Sequence, residues 1–368
     1  MATFPNIPNI FNYAGQAAAT ADAALAKQIP VDGIVDAATN LFSPTFSEDV
    51  LNRMSIMFGD GPFYHQLRTF FKSTNKFDHN TLPGNSLLSG YTFITRPRLC
   101  LHDSSVSRRV EFIPMMTDKY NALPFGIRCL LDTKFCSEDS RSKACALIDR
   151  KNALFTPLNN GLIGMSGWPD MNLETSTTQT GFHSEDQTIV NGYDQLNKTY
   201  EFTLDFRDPQ CGPILSIFFY WILYMGMVSK GIMPAYMEDI NQRRINYSVS
   251  IYRFVVDPSR RYIVHYAKAT GCYPKSIPIG SLFNFSEGDR FVRSAGNFSI
   301  PFVANKVEYN NPDILGDFNT LMRRYDPQIE QRAAIPLSVE SNYNGLPYVH
   351  SGSGVGPDGI KPLELIFR

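Results

Sequence analysis

Sixteen consecutive residues, Pro213 to Val228, read PILSIFFYWILYMGMV, and no charge falls between Asp208 and Lys230. Such a run either crosses a membrane or becomes the centre of a core, so it restricts the folds open to this chain. As a helix rising about 1.5 Å per residue it covers roughly 24 Å, short of the roughly 30 Å hydrocarbon layer of a bilayer. Its punctuation is that of a soluble helix. Pro213 suits a first turn, Lys230 sits by the last carbonyls, and Gly231 with Pro234 makes a stop. The run therefore reads as a buried core helix, apolar all round because it is covered all round, and no membrane anchor is expected.

The rest of the chain has the material to cover it. Of 368 residues, 43% are hydrophobic and 19% charged, which excludes intrinsic disorder as the main state. The 34 Lys+Arg balance 35 Asp+Glu, a formal charge of -1, too even for a dedicated polyanion binder. With 24 Pro, 25 Gly and 13% aromatics, the composition favours strands and turns over a helical bundle. The length suits two domains, or one with large insertions. The six cysteines form no CxxC pair and read as reduced and mostly buried, as in a protein assembled in a cytoplasm. The opening Met1-Ala2-Thr3-Phe4-Pro5 lacks the pattern of a secretory leader, so the sequons at Asn197, Asn246, Asn284 and Asn297 carry no weight.

Residues 1–80 read as a helical N-terminal arm. Ala14–Lys27 is alanine-rich, Val31–Leu41 and Ser47–Met57 follow as helices, and Phe63–Phe71 is aromatic. Period-two alternation then predicts a strand through Tyr91, Phe93 and Thr95, with a partner strand through Val106, Arg108, Val110 and Phe112. Residues 117–175 read as an insertion with a helix near Asp139–Lys151, followed by a Thr-rich stretch, Thr175–Thr180. Tyr200–Phe206 alternates like a half-buried strand. Asn246–Val256 and Arg261–Ala267 form a hairpin around Asp257–Arg260, ended by Gly271-Cys-Tyr-Pro274. Further strands are expected at Gly280–Ser286 and Asn297–Val303, then a helix over Ile314–Met322. A β domain would thus span 81–116 and 176–320, with 321–368 a Pro/Gly-rich C-terminal extension.

Chemistry is sparse. There is no GxSxG, HExxH or P-loop, and Gly354-Val-Gly356-Pro-Asp-Gly359 matches GxGxxG without the strand and helix that motif requires. Cys129, Cys136 and Cys145 lack metal-ligand spacing, and His265 with Cys272 reads as a strand histidine and a core thiol. No catalytic residue, cofactor or metal is expected. The basic doublets at 108–109, 243–244, 260–261 and 323–324 are offset by acids and suit solvated faces or ion pairs between subunits.

From Tyr200 to Asn319 the chain resembles the tail-tube fold of contractile-tailed bacteriophages, most closely tube-initiating or baseplate–tube junction proteins. The matching pieces are Tyr200–Phe206, the helix with Trp221, Ile245-Asn-Tyr-Ser-Val-Ser-Ile-Tyr252, Arg261–Lys268 and Gly271-Cys-Tyr-Pro274. The stretch near Leu282–Phe285, Glu308-Tyr-Asn-Asn-Pro-Asp313, Asp317-Phe-Asn319 and Gly90-Tyr-Thr-Phe-Ile-Thr-Arg-Pro97 complete them. The resemblance implies a mainly β, α+β fold, a tail-tube-like sandwich or barrel with one packed helix. It implies a non-enzymatic virion protein of the tail, assembled in the host cytoplasm. It also implies a homo-oligomeric, hexameric ring against adjacent tube, baseplate or sheath proteins, with DNA passing through the lumen without specific binding. A tube or neck/terminator subunit is the near alternative, and a tail-associated hydrolase with a spatially assembled site is the alternative of another class. Ring formation satisfies exposed strand edges with neighbours. On that basis Tyr247, Val249, Ile251, Tyr252, Arg253, Tyr262, Val264 and Tyr266 are the expected oligomer interface.

Overall fold

The structure is a computed structural model. It describes residues 88–116, 122–137, 145, 147–170, 172–193, 198–242, 245–257, 260, 262–283, 296–333, 345–351 and 363–368. The helical arm expected over 1–80 and the glycine motif at 354–359 lie outside the described residues.

The first half of the chain forms β1 (Ser89–Ile94), α1 (Asp103–Val106), α2 (Leu123–Leu131), α3 (Thr133–Ser137), α4 (Thr156–Gly161), β2 (Leu162–Ser166), β3 (Leu173–Thr177) and β4 (Thr188–Tyr193). Next come β5 (Tyr200–Arg207), α5 (Pro213–Ser229), α6 (Met237–Asn241), β6 (Val249–Val256) and β7 (Ile263–Pro274). The chain closes with β8 (Asn297–Ala304), β9 (Lys306–Tyr309), α7 (Asp313–Tyr325), β10 (Pro347–Ser351) and β11 (Leu363–Phe367). Seven strands make one antiparallel sheet in the order β1-β6-β7-β8-β5-β2, with β9 paired to β7 beside that path. The fold is α+β. Among the described residues β1 and β2 pair with no further strand, so the sheet is open and the expected barrel closure is absent.

The apolar run folds as expected. Asp208 accepts the Ile214 and Leu215 N–H groups at 3.0 and 3.1 Å, satisfying donors that the first turn of α5 leaves free. At the other end Gly231 adopts φ +68°, with Gly231 N–H on the Val228 carbonyl and Ile232 N–H on the Met227 carbonyl. That paired arrangement at a left-handed glycine ends the helix. Ile214, Ile217, Phe218, Trp221 and Tyr224 are buried and pack with Phe202, Leu204 and Phe206 of β5 and Ile300 and Phe302 of β8. Trp221 is fully buried, stacks on Phe218 at 6.1 Å and donates its indole N–H to the Tyr247 carbonyl at 3.0 Å. The opposite face of the sheet carries α7, whose Ile314, Leu315, Phe318 and Met322 pack with Phe93, Tyr252, Phe254 and Tyr266.

A buried polar node fixes the loop after β1. The Tyr224 hydroxyl receives the Cys100 N–H at 3.1 Å and the Asn246 amide at 2.7 Å, and donates to the Pro234 carbonyl at 3.3 Å. Next to it the Asp132 carboxylate accepts Leu101 N–H, Phe135 N–H and the Tyr236 hydroxyl at 2.7 to 2.9 Å. Burial is the largest influence on Asp132 and raises its pKa against those bonds.

Several sequence expectations change here. Val106, Arg108, Val110 and Phe112 are not a strand: α1 and a 3-10 helix, Val110–Met116, occupy that stretch. Val106, Phe112 and Met115 are buried while Val110 is 79% exposed, so inward positions follow helical spacing and β1 pairs with β6 instead. Ile279–Phe283 is also a 3-10 helix rather than the strand expected over Gly280–Ser286; Pro278 and Gly280 break up any ladder, and 284–286 lie outside the described residues. Gly271-Cys-Tyr-Pro274 does not end β7. With Gly271 at φ +69°, the β6 ladder shifts register between the Ile251–Ala269 and Val249–Cys272 pairs, and β7 runs on to pair Tyr273 and Pro274 with Val303 and Phe302 of β8. In the C-terminal extension, β10 and β11 pair with each other and pack Tyr348, Val349, Leu363 and Leu365 into the α7 core. The described part of the helix expected near 139–151, residues 147–151, is irregular.

Trp221→Ala is expected to destabilise the protein by about 3–5 kcal/mol, read from chemical denaturation. A second expectation concerns pH. Because the folded-state pKa of Asp132 lies above its ordinary 3.8, the folded chain holds the extra proton in the interval between them. Wild type should therefore gain stability relative to Asp132→Asn as pH falls from neutral towards that ordinary value. Parallel denaturation series over that range measure it.

Candidate functional site

Register places six residues of this site on one face. On β6, Val249 and Ile251 are buried in the core against α5, and Arg253 and Val255 are the next positions on the same side. Arg253 pairs with Thr92 and Ala267, and Val255 with Gly90 and His265, so β1, β6 and β7 present all six to the same side. There α5 no longer covers the sheet. Instead these residues line an open cleft of about 920 Å³ whose far wall is Leu162–Met165 of β2. The two border strands of the sheet thus face each other across it. Trp168, 5.6 Å from Phe202, and the Tyr309 hydroxyl, which donates to the Pro169 carbonyl, hold the end of β2 in place.

Arg253 is the charged centre of the cleft. Its Nη1 donates to Thr92 Oγ1 at 2.9 Å, and the guanidinium lies over Gly90, where a Cβ would stand 2.6 Å from Nη2. Burial lowers its pKa. Among the described residues no carboxylate pairs with it, and none lines the cleft. The outer border of β1 is sealed only at one end. There Ile94 N–H donates to Asn159 Oδ1 at 2.8 Å and Phe155 N–H to the Ile94 carbonyl at 2.8 Å. By strand alternation the outward backbone groups of Thr92 and Gly90 point the same way. No described residue bonds to them.

A second feature projects beside the cleft. Strands β3 and β4 form a two-stranded hairpin on which every residue from 172 to 191 is exposed. It is held by its own bonds: Thr178 N–H to the Gln187 carbonyl at 2.9 Å, Gln187 N–H to Thr178 Oγ1 at 3.0 Å, and Gly181 N–H to the Glu185 carbonyl at 2.7 Å. Phe182 at its tip is 98% exposed, and Leu173, Ile189 and Val190 are also exposed. It carries Glu174, Glu185 and Asp186 and no lysine or arginine. A lone hairpin is marginal in water.

Of the expected interface residues, Val249, Ile251, Tyr252 and Tyr266 are buried inside the subunit, the first two under α5 and the last two against α7. Tyr247, Arg253, Tyr262 and Val264 are partly exposed, and of these Arg253 lines the cleft. The hairpin and the rest of the cleft lie outside that set. The hairpin had a readable signal, a Thr-rich run ending at Gly181. The cleft had none, because segments distant in the chain build it.

These features fit a protein that docks through sheet borders. A family model described as "Putative phage tail tube protein" matches residues 37–343. The chain belongs to that family. It is accordingly a structural component of a phage tail, and no helix among the described residues is long and apolar enough to cross a membrane. No curated protein matches it. Among solved structures, the tube-terminating cap of the anti-feeding prophage is similar at 12% identity over 41% of this chain and 80% of that one, with a TM-score of 0.26. The sheath/tube terminator of an extracellular contractile injection system in the extended state is similar at 10% identity over 41% and 85%, TM-score 0.24. The sheath–tube complex of such a system in the extended state matches at 13% identity over 40% and 78%, TM-score 0.24.

Gly90→Ala is expected to fold with a loss of about 1–3 kcal/mol from overpacking, since its Cβ also meets the Phe254 carbonyl at 3.0 Å. The same change should swing Arg253 off Thr92. The Arg253 Nε–H resonance, compared with that of Thr92→Val, reports it.

Proposed function

We propose that the chain is a ring-forming structural subunit at the baseplate–tail tube junction, or in the ring that initiates the tube, and that it catalyses no reaction. The observation that carries this is the open sheet, whose border strands β1 and β2 flank an uncovered cleft while an acidic hairpin stands exposed beside it. A subunit with such borders is completed by neighbours. In this reading the β domain forms a hexameric ring around the DNA channel, residues 117–175 elaborate that domain, and the arm over 1–80 docks on an adjacent tube, baseplate or sheath protein. A formal charge of -1 suits a lumen that does not retain phosphates, because tight DNA binding takes roughly six to ten basic contacts. Tyr247, Tyr262 and Val264 join Arg253 as the accessible members of the interface proposed from the sequence.

Purified full-length protein is expected to form closed rings by negative-stain electron microscopy, and tagged protein to label one end of the tail in intact particles. A monomer at all concentrations together with an unlabelled tail would overturn the proposal. Labelling along the whole length would make it an ordinary tube subunit.

A further inference from the structure

We infer that the β3–β4 hairpin of one copy seats in the cleft between β1 and β2 of a second copy, with a tip carboxylate on Arg253 and Phe182 among the cleft's aromatic side chains. This rests on the ring-forming reading above and names the two surfaces that meet. Three complementarities lead to it. The first is charge: the cleft holds an arginine with no anion among the described residues, and the hairpin holds three carboxylates and no lysine or arginine. The pairing restores to Arg253 the partner that its partial burial lacks. The second is apolar surface. Tyr91, Met165, Trp168 and Phe367 line the cleft, while the hairpin exposes Phe182 at its tip. The third is backbone: among the described residues nothing bonds the outward groups of Gly90 and Thr92, and no further strand pairs with either edge of the hairpin.

The occupant is a second copy because the hairpin's own subunit leaves it unburied: every residue from 172 to 191 is exposed. A nucleic acid fits less well. One arginine does not track a phosphate backbone, and the unpaired strand border matches a polypeptide repeat.

The test uses full-length protein with a photoreactive phenylalanine analogue at position 182, in an equal mixture of nitrogen-15-labelled and unlabelled copies. Isotopically mixed crosslinks joining 182 to the 90–93, 162–168 or 367 segments are expected. Arg253→Glu should lower their yield by about tenfold or more, and adding Glu185→Lys with Asp186→Lys should restore it. Glu185→Gln with Asp186→Asn alters only exposed positions and should lower the yield even if Arg253→Glu fails to fold. Crosslinks within one copy, to another protein or to a different surface would overturn the inference, as would yields indifferent to these substitutions. So would a single-stranded oligonucleotide that displaces the crosslink and binds through Arg253. Rings that assemble with 182 crosslinked elsewhere would leave the ring-forming reading standing. Absence of rings and of tail labelling would remove that reading itself.

Discussion

Strand β6 buries opposite faces at its two ends, and the architecture follows from that. Val249 and Ile251 face α5, whereas Tyr252, Phe254 and Val256 face α7. One strand thus joins two cores on opposite sides of the sheet. At about 1.5 Å per residue the 17 residues of α5 reach roughly 25 Å, and the helix leaves the face of β6 bare from Arg253 onward. The cleft is that bare stretch. Its position is therefore set by where helix coverage stops, and its walls by the two border strands of the sheet.

The polar node around Tyr224 and Asp132 does for the irregular segments what the aromatic core does for the sheet. Residues 95–101 belong to neither a long helix nor a strand, yet Leu99, Cys100 and Leu101 are buried. Their backbone groups are met by the Tyr224 hydroxyl, the Asp132 carboxylate and the Leu131 carbonyl. Buried backbone without such partners would be costly. The node also fixes the departure of the chain from β1, and so the direction of one wall of the cleft.

Much of the fold was legible. The α5 run, the alternation in β5 and β8, and the β6–β7 hairpin each carry a local pattern that tertiary structure obeys. What escaped was decided by non-local contacts. Residues 106–112 alternate in hydropathy, yet the second strand for β1 comes from β6, and the local segment coils to bury Val106, Phe112 and Met115. Gly271 looks like a terminator, but its positive φ lets β7 continue into a second ladder. The interface residues show the same limit. Alternation identifies two faces of a strand without saying that each is covered at a different end, so Val249, Ile251, Tyr252 and Tyr266 looked available and are core. Arg253 was legible as a residue, while the cleft around it is assembled from segments more than 200 residues apart in the chain, from Gly90 to Tyr309.

The self-contained bonding of residues 172–191 has an evolutionary corollary. Since these side chains add almost nothing to the interior, mutation there is filtered by attachment rather than by folding. Related chains can lengthen, shorten or recolour this finger at little thermodynamic expense.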